Sequence, residues 1–97
     1  MRKVMAVGVF DLLHAGHLHY LEQAKALGDH LTVVVAHDDT VRIRKHEPVT
    51  NQELRRRMVE GLKPVDEARI GNAPDVPIFD ILPLIEPDVI ALGYDQE

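Results

Sequence analysis

The chain has no cysteine, which excludes disulfides, thiolate catalysis and Cys-ligated zinc and leaves none of the staples that hold small secreted domains together. Stability must come from packing. No apolar run approaches membrane-spanning length, and the short apolar stretch near the N-terminus reads as a strand, not a signal peptide. The expectation is a soluble, cytoplasmic protein with no membrane partner. Internal repeats and low-complexity tracts are also missing. Positive charge is in deficit, 11 basic against 16 acidic residues, and the net charge of −5 disfavours a general nucleic-acid binder.

What is present is an ordinary globular balance, 45% hydrophobic and 28% charged residues in 97. That length suffices for one domain, since an independent core needs on the order of 50 to 100 residues. The charge is uneven. Arg42, Arg44, Lys45, Arg55, Arg56 and Arg57 stand against Glu47 and Glu53 in residues 42–57, so this window is +4 and the remainder −9. A local basic segment on an acidic protein suits a compact anionic ligand better than a polyanion.

Residues 3–8 and 31–36 are apolar runs without alternation, the pattern of strands buried on both faces of a parallel sheet. Between them a helix is expected over 15–27, stopped by Gly28 with Lys25 in its last turn. Residues 37–50 read as a long functional loop, with Glu47-Pro48 arguing against helix. Thr50 is expected to cap a helix over 51–62, with Glu53 completing a capping box and Leu54, Met58, Val59 and Leu62 as its apolar stripe. A weak strand over 66–70, a turn-rich link over 72–77, a short helix over 78–85 that Pro83 should kink or shorten, and a last strand over 88–92 complete the order. The fold class is α/β: a single domain with a Rossmann-like parallel sheet and helices on both faces. Such sheets bind ligands at the carboxyl ends of their strands, near the switch in strand order.

After the first strand comes Gly8-Val9-Phe10-Asp11-Leu12-Leu13-His14-Ala15-Gly16-His17. Gly8 permits a tight exit, Gly16 permits close backbone approach, and the helix start offers unpaired amides to an anion. On the helical wheel His14 and His17 share the arc of Leu18, Leu21, Ala24 and Leu27 and point inward, while His19 falls with Glu22 and Gln23 toward solvent. One such histidine alone is most simply a core or capping residue; two beside glycines at a strand–helix junction favour a site. A zinc pair would need a third ligand and the usual helical spacing of four. Arg55 falls inside the apolar arc of its helix and so needs an anionic partner, either a structural carboxylate or a ligand phosphate. Arg42, Arg44 and Lys45 can close over a phosphate or simply solvate the surface. Asp11 and Asp95 follow strand ends, where a carboxylate accepts ribose hydroxyls, reaches a metal-bound water, or serves only as a loop residue. Asp38-Asp39 reads as turn and cap chemistry.

These residues resemble the cytidylyltransferase-like nucleotidyltransferases, whose motif Gly-x-Phe-Asp-x-x-His-x-Gly-His stands complete as Gly8, Phe10, Asp11, His14, Gly16 and His17. The resemblance implies nucleotide contacts from Gly8, Val9, Phe10, Asp11, His14, Gly16, His17, Gly93 and Asp95, and catalytic roles on the phosphates for His14, His17, Lys45 and Arg55. Gly93-Tyr94-Asp95-Gln96, with Lys63-Pro64-Val65-Asp66 and Glu86-Pro87-Asp88-Val89-Ile90, looks most like the archaeal FAD synthetases, which transfer AMP from ATP to FMN. Glycerol-3-phosphate cytidylyltransferases, which use CTP, begin similarly but carry Gly-Asp-Asp where this chain has Gly-Tyr-Asp. The family usually has Thr where Val9 stands, which removes a hydroxyl and leaves the amide. It also continues into a further strand and an Arg-containing segment, so residues 1–97 are read as a nucleotidyltransferase domain lacking that C-terminal segment.

The implied partners are a nucleoside triphosphate, ATP ranking ahead of CTP, and a phosphorylated small-molecule acceptor. Mg²⁺ is expected as cofactor, carried mainly by the triphosphate, with no protein metal ligand. The expected reaction is in-line transfer without a Ser or Cys nucleophile. Two other readings stay open, a nucleotide-binding module without turnover and a structural dimerisation domain. A core this small is compatible with a homodimer, although no stretch of the sequence marks an interface.

Overall fold

The computed structural model describes residues 1–11, 13, 15–44 and 46–91, the side chains of Arg44, Ile78 and Phe79 excepted. Four strands are found among them: β1 (Lys3–Gly8), β2 (His30–Val35), β3 (Glu67–Ile70) and β4 (Val89–Ala91). All pair in parallel in the order β3-β2-β1-β4. The chain steps outward from β1 to β2 to β3, then returns across the sheet to β4 on the other side of β1. The switch in strand order therefore lies between β1 and β4. This is the Rossmann-like α/β single domain that the alternation of apolar runs and helical stripes implies.

The two unalternating runs are buried on both faces, as such runs must be. Val4, Ala6, Leu31, Val33 and Val35 face one layer, formed by α1 (Ala15–Ala26) and α3 (Gln52–Glu60) through Leu21, Ala24 and Val59. Met5 and Val34 face the other, where a 3-10 turn (Ile78–Ile81) runs into α4 (Leu82–Ile85) and contributes Ile81 and Ile85. Pro83 sits in the first turn of α4, where its missing N–H costs nothing. The helix expected over 78–85 is divided there, into the 3-10 turn and a short α-helix that begins beside Pro83.

Several expectations about the helices need correction. Residues 38–44 are helical (α2, Asp38–Arg44), not loop. Asp38 and Asp39 occupy its positive end, the His37 Nδ1 accepts the Asp39 N–H, and Val41 is buried as its anchor. Pro48 lies too far along to oppose it. The cap of α3 is Asn51, whose Oδ1 accepts the Leu54 N–H at 3.0 Å from an extended backbone. Glu53 pairs with Arg56 instead of closing a capping box. The stripe of α3 is centred on Arg55 and Val59, with Leu54 and Met58 exposed. On α1 the inner arc is His17, Tyr20, Leu21 and Ala24; Leu18 and Leu27 are exposed, and His19 is exposed as expected.

Gly28, between α1 and β2, lies against β1. A Cβ there would stand 2.7 Å from the Arg2 carbonyl oxygen and 2.8 Å from a Val4 methyl. That carbonyl already accepts the Asp29 and His30 amides and has no room to move. Gly28→Ala should cost about 1 to 3 kcal/mol in urea unfolding. Gly61→Ala, where a Cβ would meet nothing closer than 3.6 Å, should stay within about 1 kcal/mol of wild type.

Candidate functional site

The carboxyl end of β1 is shaped by what its carbonyls and side chains are tied to. The Gly8 carbonyl accepts the Ala36 N–H at 2.9 Å, and the Val9 carbonyl accepts Arg55 Nη1 at 2.7 Å. Two consecutive carbonyls are thus drawn into the protein. Because C=O and the following N–H lie on opposite sides of a trans peptide, fixing the Val9 carbonyl turns the Phe10 N–H away from Arg55. Phe10 then takes a left-handed backbone (φ 54) that folds its ring back over Gly8. A Cβ on Gly8 would lie 2.6 Å from that ring, so the position admits only glycine while Phe10 stays where it is. The same ring meets the His17 imidazole edge-on, centroids 5.3 Å apart. His17 is half-buried in the first turns of α1, Gly16 beside it is exposed, and the first turn of α1 carries no acidic residue to compete for an anion.

Arg55 is wholly buried. Besides Val9 it donates through Nε to the Thr50 carbonyl at 2.9 Å and through Nη2 to the Asp38 carboxylate at 2.6 Å. Of the two partners open to it from the sequence, the carboxylate is the one in place. Burial pushes the Asp38 carboxyl up. The Arg55 hydrogen bond, a backbone hydrogen bond from Gln52 and the charges of Arg55 and Arg42 outweigh it, leaving the pKa below its ordinary value. The Gln52 side chain also accepts the Asp38 N–H at 2.7 Å.

Asp11, considered for ribose or a metal-bound water, gives both carboxylate oxygens to the protein. They accept the Val49 and Thr50 amides at 2.9 Å each, bracing the approach to α3 against the turn after β1. Arg42 pairs with Asp39 and Glu47. Gly8, Val9, Phe10, Asp11, Gly16, His17 and Arg55 are therefore brought together at the end of β1. His14, Lys45, Gly93 and Asp95 lie outside the described residues. Among the described residues no three His, Asp or Glu side chains converge as a metal site, and no helix is long and apolar enough to cross a membrane. Sequence reasoning missed Asp38, which carried a usable signal, a carboxylate placed just past β2 while an arginine lay on a buried arc. It also missed Tyr20, one turn beyond His17.

Removing Arg55 would leave the Asp38 charge enclosed. Arg55→Ala should cost about 3 to 5 kcal/mol in urea unfolding at pH 7. A carboxyl with a depressed folded pKa contributes stability above its unfolded value, 3.8, and loses it as pH falls through the folded value. The gap between wild type and Arg55→Ala should therefore narrow on acidification to about pH 3, and a constant gap would mean that the ion pair is not its source.

The chain is 52% identical to the FAD synthase of Aciduliprofundum boonei over 97 residues, all of this chain and 64% of that protein. It is 56% identical to the FAD synthase of Halomicrobium mukohataei over 95 residues, 98% of this chain and 64% of the relative. It spans just under two thirds of these relatives. A crystal structure described as the lipopolysaccharide core biosynthesis protein from Thermoplasma volcanium superposes with a TM-score of 0.93 at 45% identity, over 100% of this chain and 78% of that one. The cytidylyltransferase-like family description matches residues 5–97. With its glycine-lined turn, inward His17 and parallel sheet, the chain belongs to the cytidylyltransferase-like family.

Proposed function

We propose that this chain is the nucleotide-binding part of an FMN adenylyltransferase, transferring AMP from ATP to FMN to give FAD and pyrophosphate. The observation that carries the reading is identity of about one half to FAD synthases along the whole of this chain, 52% and 56% in the two relatives above. The triphosphate would lie at the carboxyl end of β1, against the α1 N-terminus and His17, at the switch in strand order. An FMN phosphate oxygen attacks the α-phosphorus in line. The bond from the α-phosphorus to the bridging oxygen breaks, and pyrophosphate leaves with that oxygen and the charge.

No covalent enzyme intermediate is needed, so the protein's work is orientation and charge stabilisation. His17 donates to the phosphates from a ring held by Phe10; His14 and Lys45 take the phosphate roles that the family resemblance implies. Arg55 acts through the Val9 carbonyl, and Asp11 through the backbone before α3, so both shape the turn without touching phosphate. Mg²⁺, brought by the triphosphate, would supply charge neutralisation at the phosphates, with no protein ligand assigned to it. With Asp11 committed to two amides, the described donor set fits an ion brought by the nucleotide. The protein would work in the cytoplasm, where both substrates are.

His17→Ala should lower kcat for FMN-dependent pyrophosphate release by about a hundred- to a thousand-fold, while far-UV circular dichroism stays that of the wild type. The wild-type chain should be thermally stabilised by ATP with Mg²⁺ more than by CTP. Preference for CTP with turnover of glycerol 3-phosphate would replace FMN as the acceptor, binding without pyrophosphate release would make the chain a nucleotide-binding module, and no shift with either nucleotide would sink the site.

A further inference from the structure

The place where β1 and β4 part is bridged by a group that the proposed reaction does not use. Tyr20 lies one turn beyond His17 on the inner arc of α1, its ring packed on the layer that includes Val89 and Ala91. Its hydroxyl stands 2.7 Å from the Ala91 carbonyl oxygen and 3.4 Å from that of Val7. These carbonyls belong to different strands. One hydroxyl proton serves one strong bond, and 2.7 Å is the ordinary length for it, so Ala91 takes the proton and Val7 receives the weaker contact.

β4 needs such a hold. It has three residues and pairs with β1 alone among the described strands, through Val89, Ile90 and Ala91. Its start is fastened twice: the Asp88 N–H donates to the Lys3 carbonyl and the Asp88 carboxylate accepts the Lys3 N–H, both at 2.8 Å. At Ala91, the last described residue of the strand and the partner of Ala6, it is held by the Tyr20 hydroxyl. In open parallel sheets, the ligand crevice opens at this point in the strand order.

We infer that Tyr20 is a positioning residue, its hydroxyl fixing the carboxyl end of β4 against β1 and so setting the width of the crevice in which the nucleotide binds. This rests on the proposed nucleotide site. The same helix thereby presents His17 on one turn and gauges the opposite wall on the next.

Tyr20→Phe keeps the ring and removes only the hydroxyl. Val65→Ala serves as the comparison, because Val65 is buried at the other end of the sheet, before β3. Amide hydrogen exchange is followed by mass spectrometry in wild type and both variants, and the Kd of ATP with Mg²⁺ is measured by calorimetry. In Tyr20→Phe, residues 88–91 should exchange about two- to ten-fold faster while residues 30–35 stay protected, and the Kd should rise by a similar factor. Val65→Ala should loosen all strands together and leave the Kd unchanged. Unaltered exchange at 88–91, a uniform rise, or an unchanged Kd despite a loosened β4 would overturn the role of Tyr20 alone. A wild-type chain that binds neither ATP nor CTP would instead sink the nucleotide site, and the crevice role with it.

Discussion

A buried guanidinium organises the functional end of this molecule. Arg55 comes from the first turns of α3, and its three bonds end on three different segments: the turn after β1, the start of α2 and the residue before the α3 cap. Burying an ion pair is a poor route to stability, because desolvation cancels much of the attraction. What the pair provides is direction. Planar donors fixed at known angles specify where the Val9 carbonyl, the Thr50 carbonyl and the Asp38 carboxylate must stand. The loops that surround the end of β1 are thereby set relative to one another and not merely gathered there.

The motif after β1 divides by what its members touch. Gly8, Phe10 and Asp11 build: the glycine makes room for the ring, the ring holds His17, and the carboxylate braces the backbone before α3. The Gly8 and Val9 carbonyls, which would repel a phosphate, are spent on Ala36 and Arg55. Among the described residues, most of the motif therefore shapes the protein. A residue that touches a ligand and one that holds the backbone look alike in sequence; here Gly8, Phe10 and Asp11 are seen to hold the backbone and its neighbours.

The sheet was legible because strands covered on both faces must be apolar without alternation, and residues 3–8 and 31–36 obey that rule. The motif's place at the end of β1 followed from the same reading. α2 was hidden because it has seven residues and, among the described side chains, a single buried anchor, Val41, too few for a period to emerge. The α3 cap shifted by one residue because Asp11 and Arg55 claim the Thr50 amide and carbonyl, partners distant in the chain. Arg55 was placed on the buried arc by its helical phase, but its partner depends on where Asp38 comes to rest. That is a tertiary fact, as is the reach of Tyr20 to Ala91, 71 positions away.

The bond between Arg55 and Val9 joins residues 46 positions apart, and this sets an order of assembly. β1 and its turn leave the ribosome first, with every element of the motif present in sequence and none of the constraints that give it shape. Only when α3 has been made and has docked can the Val9 peptide be turned and the ring of Phe10 settle over Gly8. The turn after β1 is therefore not set until α3 is in place, and a nascent chain stopped before α3 carries the motif without the Arg55 constraint.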